Sequence, residues 1–246
     1  MIDFHSHIIP GIDDGAKSPE ESLLILKTLW RQGVRTVVAT PHYYKQNESV
    51  SDFIGRRSEA FEQLKKVSDG EEIPEIILGA EVLFTPSLEE DDLSPLYIQG
   101  TDYLLLEMPY RYFDGATLRA VENLILRKGF SPIMAHIERY VRFTQKSDIY
   151  KLMSLGAVGQ INASSFLNIT QRKFCMELIK NNTANILGSD VHNLHTRPPH
   201  MEEAAARITK KLGTGKLRKM MNNAQMILEN RDIYEITDGG YNGTDY

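Results

Sequence analysis

Met1-Ile2-Asp3-Phe4-His5-Ser6-His7 opens the chain: a short apolar run that ends in a His-x-His pair. The same grammar returns along the sequence. Val37-Val38-Ala39-Thr40-Pro41 leads to His42, Ile133-Met134-Ala135 to His136, and Ile186-Leu187-Gly188-Ser189 to Asp190 and His192. Two further runs end in carboxylates, Ile76 to Ala80 in Glu81 and Tyr103 to Leu106 in Glu107. Amphipathic segments separate these runs. Ser18-Pro19-Glu20-Glu21 has the signature of a helix start, with Ser18 as N-cap, Pro19 at the first helical position and Glu21 closing a capping box. Leu23, Leu24, Leu26, Leu29 and Trp30 follow at roughly helical spacing, and Gly33 stands where a helix terminates. Further helices are expected near 51–68, 115–128, 148–155, 171–181, 200–211 and 215–230. Strands are expected at 2–5, 34–40, 76–81, 102–107, 130–135, 157–161 and 183–188, with 82–101 as a long irregular connection. Such alternation implies right-handed crossovers and a parallel sheet, closed or nearly closed into a barrel. In barrels of this kind functional groups gather at the C-terminal ends of the strands, where these polar residues fall.

At 246 residues the chain suits a single α/β domain over 1–236, with the Gly-rich polar segment 237–246 expected to be a flexible tail. No apolar stretch approaches the roughly 20 residues that span a bilayer, so no membrane insertion is expected. The strand-like, histidine-bearing N-terminus does not read as a signal peptide. Cys175 stands alone, which excludes an internal disulfide and fits a reducing cytoplasm; on a helix-like segment it reads as a packing residue. A net charge of −5 disfavours a nucleic-acid partner, though bound cations would reverse the local field for a phosphate substrate.

His5 and His7 lie two apart on a strand and so share a face, which on a barrel strand is the interior. Two imidazoles buried side by side are costly unless partnered. A metal ion supplies the partner; a pair of satisfied core histidines is the plain alternative. Asp190 and His192 repeat the spacing. Asp13-Asp14-Gly15 after the first strand offers Asp14 as a ligand, or simply a turn. Glu81 and Glu107 read as bridging carboxylates, or else as rim salt bridges. Mixed imidazole and carboxylate donors suit Mn, Fe or Zn better than Mg or Ca. His5, His7, Asp14, His42, Glu81, Glu107, His136, Asp190 and His192 are too many donors for one ion. Two or three close ions that activate water and clamp both reacting oxygens are the usual machinery of phosphoester hydrolysis. Arg139 and Arg197 are placed to fork onto phosphate oxygens, with ordinary surface arginines as the alternative. His195 and His200 suit proton donation or surface and capping roles alike, and Tyr43 and Tyr44 suit either a pocket mouth or packing. A Cys-x5-Arg loop, a Walker motif, Gly-x-Gly-x-x-Gly and a serine nucleophile elbow are all missing from the sequence.

Taken together, Met1 to Ile8, Asp13-Asp14-Gly15, Arg31 to Thr36, Thr40-Pro41-His42, Gly79-Ala80-Glu81, Ala135 to Tyr140, Ser189 to Asn193 and Arg197 to His200 resemble the polymerase-and-histidinol-phosphatase (PHP) family. The resemblance is closest to its bacterial manganese-dependent protein-tyrosine phosphatases of capsule and exopolysaccharide synthesis. It implies a distorted (β/α)7 TIM-like barrel of PHP type and three metal ions, manganese first, with iron or zinc as other candidates. It places His5, His7, Glu81 and Asp190 on one ion, lets Glu81 bridge to a second with Glu107 and His136, and puts Asp14, His42 and His192 on a third. Glu107 stands where many family members have His, as in the tyrosine-phosphatase branch. The implied catalytic set is Arg139, Arg197, Asp190 and His192. The implied substrate is phosphotyrosine on a cognate bacterial tyrosine kinase. Alternatives are a small-metabolite phosphatase such as one for histidinol phosphate, a metal-bound regulator that binds a partner without turnover, and, disfavoured by charge, a nuclease.

Overall fold

The computed structural model describes residues 1–237. Its strands are β1 (Ile2–Ser6), β2 (Thr36–Ala39), β3 (His42–Tyr43), β4 (Glu75–Leu78), β5 (Glu81–Leu83), β6 (Tyr103–Glu107), β7 (Ser131–Met134), β8 (Val158–Asn162) and β9 (Ile186–Gly188), and their pairings are parallel. They form two sheets, β1-β2-β4 and β3-β5-β6-β7-β8-β9. β2 and β3 are halves of one strand position, and so are β4 and β5. The expected unbroken strands 34–40 and 76–81 are therefore each interrupted. Pro41, which has no N–H to donate, sits at the first break. The ladder is carried across by Gly79 N to Ala39 O at 2.8 Å and Glu81 N to Pro41 O at 3.0 Å. Counted by position there are seven strands, and a parallel bridge between Ser6 and Val191 returns the last to the first. The result is a distorted (β/α)7 barrel.

The helices are α1 (Pro19–Arg31), α2 (Val50–Ser68), α3 (Gly115–Lys128), α4 (Lys146–Met153), α5 (Ile169–Lys180), α6 (Met201–Leu212), α7 (Thr214–Leu228) and α8 (Ile233–Thr237). Ser18 caps α1 by accepting from Glu21 N at 3.3 Å, but the Glu21 carboxylate takes the N–H of Lys17, at 2.8 Å, rather than that of Ser18. Gly33 follows the helix with φ +82°, a left-handed turn that glycine adopts without a Cβ clash. The 82–101 connection is irregular apart from the end of β5 and two short 3-10 turns, Pro86–Glu90 and Ser94–Leu96. Thr237, expected in the tail, closes α8, and 238–246 lie outside the described residues.

Two apolar layers result. Val37, Leu104, Leu106, Met134 and Ile161 pack outward against helical residues such as Ile25, Leu29, Leu124 and Leu178. Ile2, Phe4, Val38, Leu105, Ile133, Val158 and Ile186 fill the barrel interior, and Ile227 of α7 and Ile236 of α8 join this cluster. The polar groups that end the strands collect above it.

Gly159 on β8 lies so close to the Thr183 carbonyl that an added Cβ would overlap it and the Ile137 side chain. Gly159→Ala is expected to cost about 1–3 kcal/mol by overpacking. The check is urea unfolding: the midpoint should fall with little change in slope, and a midpoint equal to the parent's would contradict the close approach.

Candidate metal centre

Strict alternation on β1 sends His5 and His7 to the face opposite Ile2 and Phe4. The register against β2 slips between them: Asp3 pairs with Val37, but Ser6 with Ala39. The extra residue is a β-bulge, a device that re-aims side chains. It lets both histidines enter the interior that Ile2 and Phe4 fill below. Glu107 needs no such device, since it continues the phase of Tyr103 and Leu105 on β6. His136 is out of phase with Ile133 and Ala135, and a left-handed backbone, φ +33°, turns it inward. Asp190 is also left-handed, with φ +54°. Such conformations cost on the order of 1–3 kcal/mol at non-glycine residues and persist where the surroundings impose them.

All nine expected ligands meet at this rim. The Nε2 atoms of His5 and His7 are 3.1 Å apart. Glu81 Oε2 lies 3.1 and 3.3 Å from them, and Asp190 Oδ1 3.6 and 3.4 Å. A tetrahedron with ligands about 2.1 Å from its centre has edges of about 3.4 Å, so His5, His7 and Glu81 are spaced as ligands of one ion, and Asp190 Oδ1 lies beside both imidazoles. The other Glu81 oxygen is 2.9 Å from His136 Nε2, and Glu107 Oε1 is 3.4 Å from the same nitrogen. Asp14 Oδ1 lies 3.2 Å from His192 Nε2 and 3.6 Å from His42 Nε2. The groups share borders: His7 also stacks on His192 with centroids 3.8 Å apart, and His42 Nδ1 is 3.0 Å from Glu81 Oε2. Asp14 is the outlier in exposure, its side chain 63% accessible while those of Glu81 and Asp190 are 1% and 2%.

Two observations fit a cation. Nitrogen faces nitrogen at 3.1 Å in the fully buried His5–His7 pair. Buried Glu81 Oε2 and His192 Nε2 make no hydrogen bond among the described residues, although buried polar atoms normally find a partner. The electrostatics agree. Burial disfavours ionised Glu81, but His5, His42 and His136 outweigh it and hold its carboxyl well below the usual range. Asp190 is held well below by His5, His7 and Arg139, again against burial. Burial also opposes protonated His136, yet hydrogen bonds to Glu107 and Glu81 raise it to about 9.

A supporting layer went unassigned in the sequence. Asp13 Oδ2 accepts from His7 Nδ1 at 2.7 Å and from His42 N at 2.9 Å, so His7 presents Nε2 to the cluster. The Asp-Asp-Gly signal marks the loop but not which carboxylate turns inward. Gln160 Oε1 accepts from His5 Nδ1 at 3.1 Å and from His136 N at 2.7 Å. Its amide nitrogen donates to Asn162 Oδ1 at 2.8 Å, and Asn162 donates to Asp190 Oδ2 at 2.7 Å. One buried amide pair on β8 thus orients three of the expected ligands.

Arg139 and Arg197 both reach Asp190 Oδ2, at 2.6 and 2.9 Å. They line a cleft of about 450 Å³ with Asp14, His42, Glu81, Glu107, His136 and Asp190 at its base. Tyr44 stacks on His42 and Tyr110 on His136, so two phenol rings flank the mouth. Tyr43, the other candidate for the mouth, is fully buried against Phe53. Tyr110 was missed, since it follows Glu107 on an irregular loop with no periodic signal. His195 is exposed, and His200 pairs with Glu203 at 2.9 Å at the start of α6, so neither lines this cleft. Cys175 is buried and burial pushes its thiol pKa up, as befits a packing residue.

This arrangement has relatives. The family model for capsular polysaccharide synthesis, CpsB/CapC, matches residues 1–229. The tyrosine-protein phosphatase YwqE of Bacillus subtilis (strain 168) is 32% identical over 241 residues, covering 95% of this chain and 94% of that protein. The tyrosine-protein phosphatase CpsB of Streptococcus agalactiae serotype V is 33% identical over 247 residues, covering 95% of this chain and 100% of that protein. A crystal structure from work on YwqE of B. subtilis and CpsB of Streptococcus pneumoniae, described as metal-dependent tyrosine phosphatases, superimposes with a TM-score of 0.82 at 30% identity, covering 94% of this chain and 96% of that one. The chain belongs to the CpsB/CapC family of capsular polysaccharide synthesis.

Proposed function

We propose that the chain is a metal-dependent protein-tyrosine phosphatase, acting in the cytoplasm on a cognate tyrosine kinase of capsular or exopolysaccharide synthesis. The observation that carries this reading is the shared Glu81 carboxylate: three imidazole–carboxylate groups meet around it beneath two arginines in a cleft flanked by phenol rings. His5, His7, Glu81 and Asp190 would hold one divalent ion, Glu81, Glu107 and His136 a second, and Asp14, His42 and His192 a third. Manganese is the proposed metal; the mixed donor set supports it, along with iron or zinc. No helix among the described residues is long and apolar enough to cross a membrane.

When bound, the ions supply Lewis acidity that makes water nucleophilic near neutral pH and offsets phosphate charge. Arg139 and Arg197 point into the same cleft and fork onto phosphate oxygens, holding phosphorus over the cluster and stabilising the charge of the transition state. Tyr44 and Tyr110 flank the substrate ring. A phenol leaves with an ordinary pKa near 10, so departure needs no strong acid. Asn162 and Arg139 hold Asp190 by its outer oxygen Oδ2, while Arg197 donates to both oxygens at 2.9 Å, so Oδ1 is shared between Arg197 and the cluster.

Asp190→Ala or His136→Ala should lower turnover of a phosphotyrosine peptide by at least about a hundredfold, and Arg139→Ala should weaken phosphate handling by a similar order. Full activity of chelator-treated His136→Ala protein would refute the reading. Faster turnover of histidinol phosphate than of phosphotyrosine peptide would favour the small-metabolite alternative.

In the metal-free chain His136 keeps its proton up to about pH 9. A cation must displace that proton, so metal affinity should rise with pH toward 9, by about tenfold per unit for each such imidazole, and fall as pH drops. Calorimetric manganese titrations at pH 7 and 9, in buffers of different ionisation enthalpy, read both the affinity and the released protons. Equal affinity with no proton release contradicts this site.

Gln160→Leu should weaken metal binding by roughly 10–100-fold, because His5 loses the acceptor that fixes its tautomer. The same titration reads this without recourse to activity. Unchanged affinity would make Gln160 a packing residue only.

A further inference from the structure

Large apolar side chains left exposed on this molecule are not scattered evenly. Leu24, Leu126 and Tyr234 stand apart, but Tyr110, Tyr112, Val141, Phe143, Leu167 and Ile169 all come from three successive segments after β6, β7 and β8. These segments form one sector of the rim that carries the metal centre. Clustered exposed apolar groups mark sites of macromolecular contact.

Within this sector lies a second cleft, of about 390 Å³, lined by Tyr110, Arg139, Arg142, Phe143, Ser164 and Gln171. It shares Tyr110 and Arg139 with the cleft over the metal centre, so the two are continuous. The Tyr110 and Phe143 rings lie 5.3 Å apart and give it an aromatic wall. Arg142 is exposed and forms no ion pair among the described residues. The nearby Glu138 carboxylate does not neutralise it: Glu138 is buried and accepts from Ser165 Oγ at 2.6 Å and Asn162 N at 3.3 Å. A protein of net charge −5 therefore presents an unpaired guanidinium in the same cleft as an aromatic wall, beside its reaction site. A small phosphomonoester would fill the first cleft and leave this one unused.

We propose that the second cleft binds the peptide flanking the phosphotyrosine, and that Arg142 pairs there with an aspartate or glutamate side chain of the substrate. The proposal rests on the phosphatase reading. The aromatic wall covers the apolar stem of the flanking residue, and the guanidinium meets its carboxylate in a fork geometry. Sequence preference then resides in the loops after β6 and β7, while the phosphate is held by Arg139 and Arg197.

The test compares kcat/KM of the manganese-loaded chain on phosphotyrosine peptides whose flanking residues are glutamate or lysine, with p-nitrophenyl phosphate as a reference that lacks flanks. The parent should prefer the glutamate peptide by about fivefold, the factor that an exposed charge pair supplies at the upper end of its usual range. Arg142→Glu should reverse the order, and Arg142→Lys should keep it. Added salt should compress the preference. Equal preference in parent and Arg142→Glu overturns the proposal, as does an equal fall on all three substrates. Turnover of p-nitrophenyl phosphate without discrimination between peptides leaves the phosphatase reading standing and removes only this one. No turnover of any substrate removes the phosphatase reading itself.

Discussion

A carboxylate withdrawn from water stays ionised only where positive charge meets it, and Glu81 is withdrawn completely. One of its oxygens faces His5, His7 and His42, the other His136. The rest of the rim is arranged around that demand. The strand position that carries Glu81 is broken at Gly79-Ala80, and its neighbour at Thr40-Pro41, so His42 and Glu81 pair directly on β3 and β5. Each surrounding imidazole in turn needs its second nitrogen or its backbone held, and Asp13 and Gln160 do this from opposite sides.

Asp190 links this cluster to the substrate side of the cleft. Its Oδ1 faces the His5–His7 pair, its Oδ2 receives Asn162 and Arg139, and Arg197 donates to both oxygens. A single carboxylate therefore sets the positions of both the inner donors and the outer cations. Changes in one group are expected to be felt in the other, since residues that share a partner are not energetically independent.

Much of this was legible in the sequence because the signal was positional. An apolar run followed by His, Asp or Glu states both the strand and the rim at which it ends, and the eight residues so marked lie together there with Asp14 of the Asp-Asp-Gly loop. What the sequence withheld was local geometry fixed by tertiary pairing. The β1 bulge leaves no trace in composition; alternation alone would have put Phe4 and His5 on opposite faces. The left-handed turn at His136 is likewise imposed by its surroundings, for histidine has no strong preference for it. Tyr43 and Tyr44 are adjacent and chemically identical, so which one faces the cleft depends on strand phase. Glu21 caps one residue earlier than the capping-box pattern states, a difference too small for spacing to resolve. Asn162 ends the strand 157–161 in the same grammar, but Gln160 reads as an ordinary strand residue, because its role comes from the donors across the barrel.

The lower end of the barrel carries a consequence of another kind. Ile2 near the first residue and Ile236 near the last described one belong to the same interior cluster, and Arg231 O accepts from Tyr103 at the start of β6. Residues 1 and 237 thus flank the mouth-distal pole, with the whole barrel between them and the cleft over the clustered donors. A tether or affinity handle attached ahead of Ile2 would project away from the cleft, and immobilising the protein there leaves the rim turned toward solution.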